Sequence, residues 1–448
     1  MTINLPKDVK YIIDRLIEAG YEAYAVGGCV RDTLLNRTPD DWDITTSAKP
    51  LQIKELFRPT IDTGIQHGTV TVLRSGVGYE VTTYRIDGEY EDARHPKEVT
   101  FTANLEEDLK RRDFTINAMA YNEKDGLIDC FGGMNDLESG IIRCVGDARE
   151  RFNEDALRMM RAIRFSAQLG YSIEQKTSDA IKELASNLDK ISAERINVEL
   201  TKLITSGHPE YIVEAYNLGI MDVVMPEFAI CMKTSQNNPH HCYTVGEHIV
   251  RSMKGIRDDR VLRYTMLFHD ITKPQFKTTD SEGIDHFHGH AIGSAQKAHE
   301  IMKRLRFDND ALYKIERLVE YHDYRVEPTK KAVRHAINKV GEDLFDMLLE
   351  VQKADLSAQS KYEYDEKFNR IEQVQNLYES IIEDGECVSL KTLAVTGSDL
   401  IKIGIEPGPG LGVILKQLLS EVLDDPGKNK QDILLEIANG YLRNGNNE

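Results

Sequence analysis

Asp41 and Asp43 stand two residues apart, shortly after the run Val26-Gly27-Gly28-Cys29-Val30-Arg31-Asp32. On a strand, that spacing sends both carboxylates to one face. Two glycines let a backbone approach a bulky anion, because no Cβ stands in the way. Backbone N–H groups at such a turn, with a helix following, bind phosphate. Two hard oxygen ligands facing a phosphate site suit Mg²⁺. Gly27, Gly28 and Arg31 therefore read as a phosphate-binding turn, and Asp41 and Asp43 as metal ligands for nucleotidyl transfer. Gly-Gly alone usually marks a turn, and Asp-x-Asp alone a solvated loop; their order and close spacing carry the reading.

Further chemistry follows along the chain. Glu80, in the alternating run Tyr79 to Arg85, is either a third carboxylate for the metal pair or an outward-facing strand residue. Arg111, Arg112 and Asp113, with Asn117 close behind, offer donors and an acceptor for a triphosphate and a ribose. Glu154 to Phe165 reads as one strong helix. On it Asp155 and Arg158 share a face, as do Arg158 and Arg161, with Arg164 a turn further on. Such a face can present both an acceptor and donors to the edge of a base.

A second constellation begins near residue 240. His248, His269-Asp270, His290, His322 and Asp355 are spread through helical sequence. Imidazoles and carboxylates on several helices are how a bundle assembles a metal centre, and imidazole favours Ni²⁺, Mn²⁺, Fe or Zn²⁺ over Mg²⁺. His286 and His288 read as loop residues.

The elements that must hold these groups follow from pattern. Glu22–Val26 reads as a strand, 30–36 as a helix, 43–46 and 79–85 as strands. Asp129-Cys130-Phe131-Gly132-Gly133 with Asp136 reads as a glycine-hinged loop after a strand. The polar stretch 87–96, bounded by Gly88 and Pro96, reads as a mobile loop. Beyond the head the chain reads as nearly all helix, with a turn at Pro407-Gly408-Pro409-Gly410. At 448 residues several domains are expected. No run of about 18 apolar residues exists, so no membrane span is expected. Six scattered cysteines without Cys-x-x-Cys spacing point to free thiols in a reducing cytoplasm. The net charge of −18 argues against broad non-specific RNA binding. The basic residues bunch between Lys110 and Arg164, where a 3′ end and a triphosphate would lie.

These pieces, in this order, resemble the bacterial class II tRNA nucleotidyltransferases, the CCA-adding enzymes. The resemblance rests on Gly-Gly-x-Val-Arg-Asp with Asp-x-Asp, Arg-Arg-Asp-Phe-Thr-Ile-Asn-Ala, Asp-x-x-Gly-Gly-x-x-Asp, Glu-Asp-x-x-Arg and Ser192-Ala193-Glu194-Arg195-Ile196. It implies an α+β chain: a polymerase-β-type head with a mixed sheet over 1–148 and a helical, base-reading neck over 149–225. It also implies CTP, ATP and the tRNA 3′ end as partners, with no template, DNA or membrane. Base pairing would fall on Asp155 and Arg158. The unshortened loop at 87–96 argues against an enzyme that adds only C. An A-adding enzyme and a poly(A) polymerase remain alternatives.

The histidine set resembles the HD superfamily of phosphohydrolases, giving an expected HD domain over 226–360 and a helical tRNA-binding region over 361–448. That resemblance implies phosphatase or cyclic-phosphodiesterase chemistry, or a scaffold only. Thr272 stands where the superfamily often has glycine, which bears on close packing and not on the ligands. A reading of another class is an HD phosphohydrolase with an N-terminal RNA-binding module.

Overall fold

The computed structural model describes residues 3–88 and 99–445, so most of the polar loop read at 87–96 lies outside the described residues. The chain divides into two compact units, Met1–Pro226 and Glu227–Glu448.

The first unit opens with α1 (Lys7–Glu18), whose Val9, Ile12, Ile13 and Leu16 form one buried stripe. Then come β1 (Ala23–Val26), α2 (Gly28–Leu34), β2 (Ile44–Thr46), α3 (Pro50–Leu56), β3 (Thr60–Gly64), β4 (Thr69–Arg74) and β5 (Val77–Thr83). β6 (Arg85–Asp87) and β7 (Val99–Phe101) pair antiparallel. α4 (Leu105–Lys110), β8 (Met119–Asn122) and β9 (Gly126–Asp129) complete the head. Seven strands form one sheet in the order β3-β4-β5-β2-β1-β8-β9. β2 runs parallel to β5 and antiparallel to β1, so the sheet is mixed, as expected. β1 and β2 are buried throughout, which fits their central place.

Short helices follow: α5 (Gly133–Ser139), α6 (Ala148–Glu154), α7 (Leu157–Leu169), α8 (Gln175–Leu184), α9 (Ala193–Ile204), α10 (Ile212–Asn217) and α11 (Ile220–Val224). The glycine hinge is in place. Gly132 takes φ 75° ahead of α5, and the Asp129 carboxylate accepts from the N–H groups of Gly133 and Met134. The single helix expected over 154–165 is two. Asp155 is extended (φ −144°, ψ 102°) between α6 and α7, and its carboxylate accepts from Leu157 N–H. Helix propensity favours continuity here, but a side-chain oxygen that satisfies a free N–H starts a new helix instead.

In the second unit α12 (Pro226–Lys233), α13 (Val245–Lys254), α14 (Arg260–Phe268) and α15 (Lys273–Phe276) precede a small hairpin. α16 (His290–Arg304), α17 (Asn309–Tyr321), α18 (Lys330–Val340), α19 (Phe345–Ser357) and α20 (Tyr364–Glu383) follow. The C-terminal helices α21 (Gly397–Lys402), α22 (Pro409–Asp424) and α23 (Gln431–Gly445) enclose an apolar cluster that includes Leu400, Leu418, Val422 and Leu434. α21 starts with a cap, a reciprocal box between Thr396 and Asp399. No helix among the described residues is long and apolar enough to cross a membrane. All six cysteines are free, and Cys29, Cys144, Cys231 and Cys387 are buried.

Candidate functional site

In the first unit an open cavity of about 560 Å³ is lined by Gly27, Gly28, Arg31, Asp41, Asp43, Arg112, Asp113, Asn117, Arg161 and Arg164, among others. The turn between β1 and α2 needs glycine twice over. Gly27 has φ 83°, and a Cβ there would stand 2.9 Å from Arg112 Nη1.

Asp41 and Asp43 lie just before β2, and Val26 N–H donates to the Asp43 carbonyl at 3.0 Å. Glu80 reaches the pair through sheet register. β2 and β5 pair Ile44 with Val81, so Asp43 and Glu80 are the next neighbours on one face. Burial, then the Asp41 charge, pushes the Asp43 carboxyl up to about 6; Glu80 adds to this and Arg112 opposes it. Asp41 and Glu80 set their hard oxygens beside the raised Asp43 carboxyl, a donor set that fits Mg²⁺.

Behind the cavity lies a charged network. Arg31 Nη1 donates to Asn117 Oδ1 at 2.7 Å, and its other nitrogens hold Asp32. Asp113 accepts from Phe114 N–H, from Asn117 Nδ2 and from Arg161 Nε. Burial opposes the Asp113 charge, but Arg161 and Arg158 hold its carboxyl well below the usual range. Arg164 Nε lies 2.6 Å from Glu199 Oε2, and Arg164 covers the Phe165 ring at 3.8 Å. Asp108 is fully buried; it takes two hydrogen bonds from Arg111 and one from Thr45, with Arg112 at 3.8 Å.

Asp155 and Arg158 do not line the cavity as described; each is held by a partner. Arg195 grips both Asp155 oxygens, the shorter contact at 2.7 Å. Glu154 takes Arg158 Nη1 at 2.6 Å, and Arg158 Nη2 donates to the Arg111 carbonyl. Sequence reasoning missed Asp108 and Glu199. Asp108 stands in the acidic first turn of α4, a pattern ordinary at solvated helix starts. Glu199 lies four residues after Arg195 on α9, a spacing that put it on the face of an already named residue.

In the second unit His248 on α13, His269 and Asp270 after α14, His290 opening α16, His322 ending α17 and Asp355 on α19 come together. His248 Nε2 lies 3.2 Å from His269 Nε2 and 2.8 Å from Asp355 Oδ1. His290 Nε2 lies 3.3 Å from His322 Nε2 and 3.2 Å from Asp270 Oδ1. Asp270 belongs to both groups of potential ligands, with His248 and His269 on one side and His290 and His322 on the other.

Each Nδ1 faces a backbone carbonyl: Ala358 for His248, Met266 for His269, Phe287 for His290 and Val319 for His322. That partner fixes the tautomer and turns every Nε2 lone pair inward. Both Asp270 oxygens are buried without a well-formed hydrogen bond, although Lys273 lies 2.6 Å from one. Burial opposes charge on His269, yet Asp270 and Asp355 push its imidazole up to about 10, while burial takes His322 down to about 3. Converging imidazole nitrogens around a buried carboxylate fit a transition-metal cation. Thr272 costs the packing nothing visible: its buried hydroxyl meets the His290 carbonyl and Ser294 Oγ. His286 and His288 stand apart from the ligand groups, His286 paired with Asp280.

Comparison with known proteins matches three segments of the chain. Residues 23–143 match the poly A polymerase head domain. Residues 170–232 match the probable RNA- and SrmB-binding site of polymerase A, and 278–438 a putative domain 2 of tRNA nucleotidyltransferases. The fold is that of a nucleotidyltransferase.

The CCA-adding enzyme of Leuconostoc mesenteroides is 37% identical over 98% of this chain and 97% of its own length. That of Pediococcus pentosaceus is 35% identical over 97% of both. The crystal structure of the Bacillus stearothermophilus CCA-adding enzyme in complex with CTP has a TM-score of 0.69 at 30% identity, covering 98% of this chain and 97% of that one. The Thermotoga maritima CCA-adding enzyme complexed with tRNA shares the fold, with a TM-score of 0.61 at 22% identity over 98% and 97% of the two chains. The chain belongs to the CCA-adding enzyme family.

Proposed function

We infer that this protein adds CCA to the 3′ end of tRNA from CTP and ATP, without a template, in the cytoplasm. The observation that carries the reading is the meeting of Asp41 and Asp43 with Arg112 beside the Gly27-Gly28 turn, in a cavity lined by further arginines. Asp41 and Asp43, with Glu80, would hold Mg²⁺, which when bound activates the terminal hydroxyl and stabilises departing pyrophosphate. The residues do the rest by position. Gly27 and Gly28 let the backbone approach the triphosphate, and Arg31 and Arg112 meet its charge, while Arg111, expected beside them, is held on Asp108 away from the cavity lining. Asp113 and Asn117 hold Arg161 and Arg31 in place toward the nucleotide. Asp155 and Arg158 read the base, and their grips by Arg195 and Glu154 keep the two side chains in fixed orientations before a nucleotide arrives.

Purified protein given tRNA ending at the discriminator base should add C, C and A; given tRNA ending in CC it should add A. Asp43→Ala should lower the rate by orders of magnitude in both assays while the protein stays folded. Near-normal incorporation with Mg²⁺ by that variant defeats the assignment.

A second reading is favoured by the inward-facing histidines of the second unit. The set His248, His269, Asp270, His290, His322 and Asp355 binds a transition metal and hydrolyses a phosphate ester. Elemental analysis of protein purified without chelator tests it; protein that takes up none of Ni²⁺, Mn²⁺, Fe or Zn²⁺ refutes it.

A further inference from the structure

Phe165, on α7, is surrounded by three arginines. The guanidinium carbons of Arg164, Arg31 and Arg161 stand 3.8, 4.9 and 5.3 Å from the centre of its ring. Phe114 packs against it edge to face, with centroids 5.8 Å apart and planes at 80°. The ring is buried, and it borders the cavity of the first unit together with all three arginines. Arg161 and Arg164 share α7 with Phe165, while Arg31 comes from α2.

Three guanidiniums gathered at one ring repel one another, so their places must be enforced. Their edges are held by polar groups. Arg31 donates to Asp32 and Asn117, Arg161 to Asp113 and Arg164 to Gln168, with Glu199 2.6 Å from Arg164. Such bonds lie in the plane of a guanidinium and leave its two flat faces without a partner. A flat face has no hydrogen to donate, and an aromatic ring within about 6 Å attracts it. The edge partners therefore fix where each guanidinium sits, and the ring fixes how its plane is tilted. An aliphatic side chain of similar bulk fills the same space but lacks the ring's negative face.

We propose that Phe165 is a positioning residue for nucleotide binding, which orients Arg31, Arg161 and Arg164 at the cavity and acts through them on the incoming triphosphate. This rests on the nucleotide-transfer reading and extends it to a side chain without a polar atom. The effect falls on binding and not on the chemical step, because the Asp43 carboxyl has Arg112 as its cationic neighbour and not these three. It falls on CTP and ATP alike, because the triphosphate is common to both.

The test is steady-state addition by the full-length protein, of C to tRNA ending at the discriminator base and of A to tRNA ending in CC. Phe165→Leu is expected to raise KM for both nucleotides about tenfold, the scale of a desolvated cation–π contact, with kcat within about twofold of the wild type. Phe165→Tyr, which keeps the ring, is expected to restore the wild-type KM. Trp42 fluorescence shows whether each variant is folded. If Phe165→Leu is not, Phe165→Met takes its place with the same expectation. A role in packing alone lowers the folded fraction, and so kcat, with KM unchanged; that result overturns the proposal. So does a folded Phe165→Tyr whose KM is raised as far as that of Phe165→Leu. A wild type that adds neither C nor A overturns the underlying reading as well, and the wild-type assay alone tells that failure from the others.

Discussion

Replacing Glu199 by glutamine should destabilise the first unit by about 2–3 kcal/mol. Breaking a buried ion pair on one side typically costs about 3–5 kcal/mol, because the remaining charge is left without compensation. Glu199 is buried, with Arg164 at 2.6 Å and Arg161 at 3.8 Å. Three features trim the cost. Arg161 keeps Asp113 at 2.6 Å, Arg164 keeps Gln168 Oε1 at 3.0 Å, and both arginines border an open cavity that water can enter. A loss of about 2–3 kcal/mol lowers the folded-to-unfolded ratio about 30- to 150-fold. Urea unfolding of the intact chain reads it cleanly, because the single tryptophan, Trp42, lies in the first unit between Asp41 and Asp43 and its fluorescence follows that unit. The variant Arg164→Met/Glu199→Gln should cost less than the sum of its two single changes, since neither charge is then left alone. A change below about 0.5 kcal/mol for Glu199→Gln, or strict additivity in the double variant, would show that the buried pair does not hold α7 to α9.

Three more outcomes follow from the same network and from the histidine cluster. Asp155→Ala should relax selection of CTP and ATP over UTP and GTP as well as slow incorporation; a variant that only slows, with selection intact, removes Asp155 from base reading. Asp113 has a folded pKa held below its unfolded value of about 3.9, so its contribution is full above that value and is lost as pH falls through the folded one. The Trp42-detected stability should thus decline below about pH 4, and Asp113→Asn should flatten that decline; equal slopes count against the pair with Arg161. His269→Ala/Asp270→Ala should lose bound metal and any phosphatase activity yet keep CCA addition, measured by elemental analysis beside the tRNA assay. Loss of addition in a folded double variant means that the two centres are coupled.

What could be read from the sequence was local. The Gly27-Gly28 turn and the Asp41/Asp43 pair are short-range patterns, legible from residue type, order and spacing together. The histidine cluster was legible because imidazole is a rare side chain, and four imidazoles with two carboxylates in order leave few arrangements. Glu80 was ambiguous because its face depends on which strand β5 pairs with, and pairing is not written within β5. The break at Asp155 was hidden because propensity sums over residues and cannot see one carboxylate capping a new helix and meeting Arg195, 40 residues away. Glu199 was missed for the same reason, since its partners Arg161 and Arg164 lie on another helix, and Asp108 because its burial is supplied only by the fold.

The one parallel pairing in the sheet, β2 with β5, has a consequence for how the head tolerates change. Parallel neighbours begin at the same edge, so Asp43 and Glu80 sit side by side however the chain travels between them. Everything from α3 to β4 is an excursion that leaves this edge and returns to it. The tip between β4 and β5, at Ser75 and Gly76, is exposed and remote in register from the carboxylates. Lengthening that tip alters the excursion and leaves its two ends fixed. The head thus offers a graft point for a tag, a probe or a second binding module, at which nucleotide transfer should proceed unaltered.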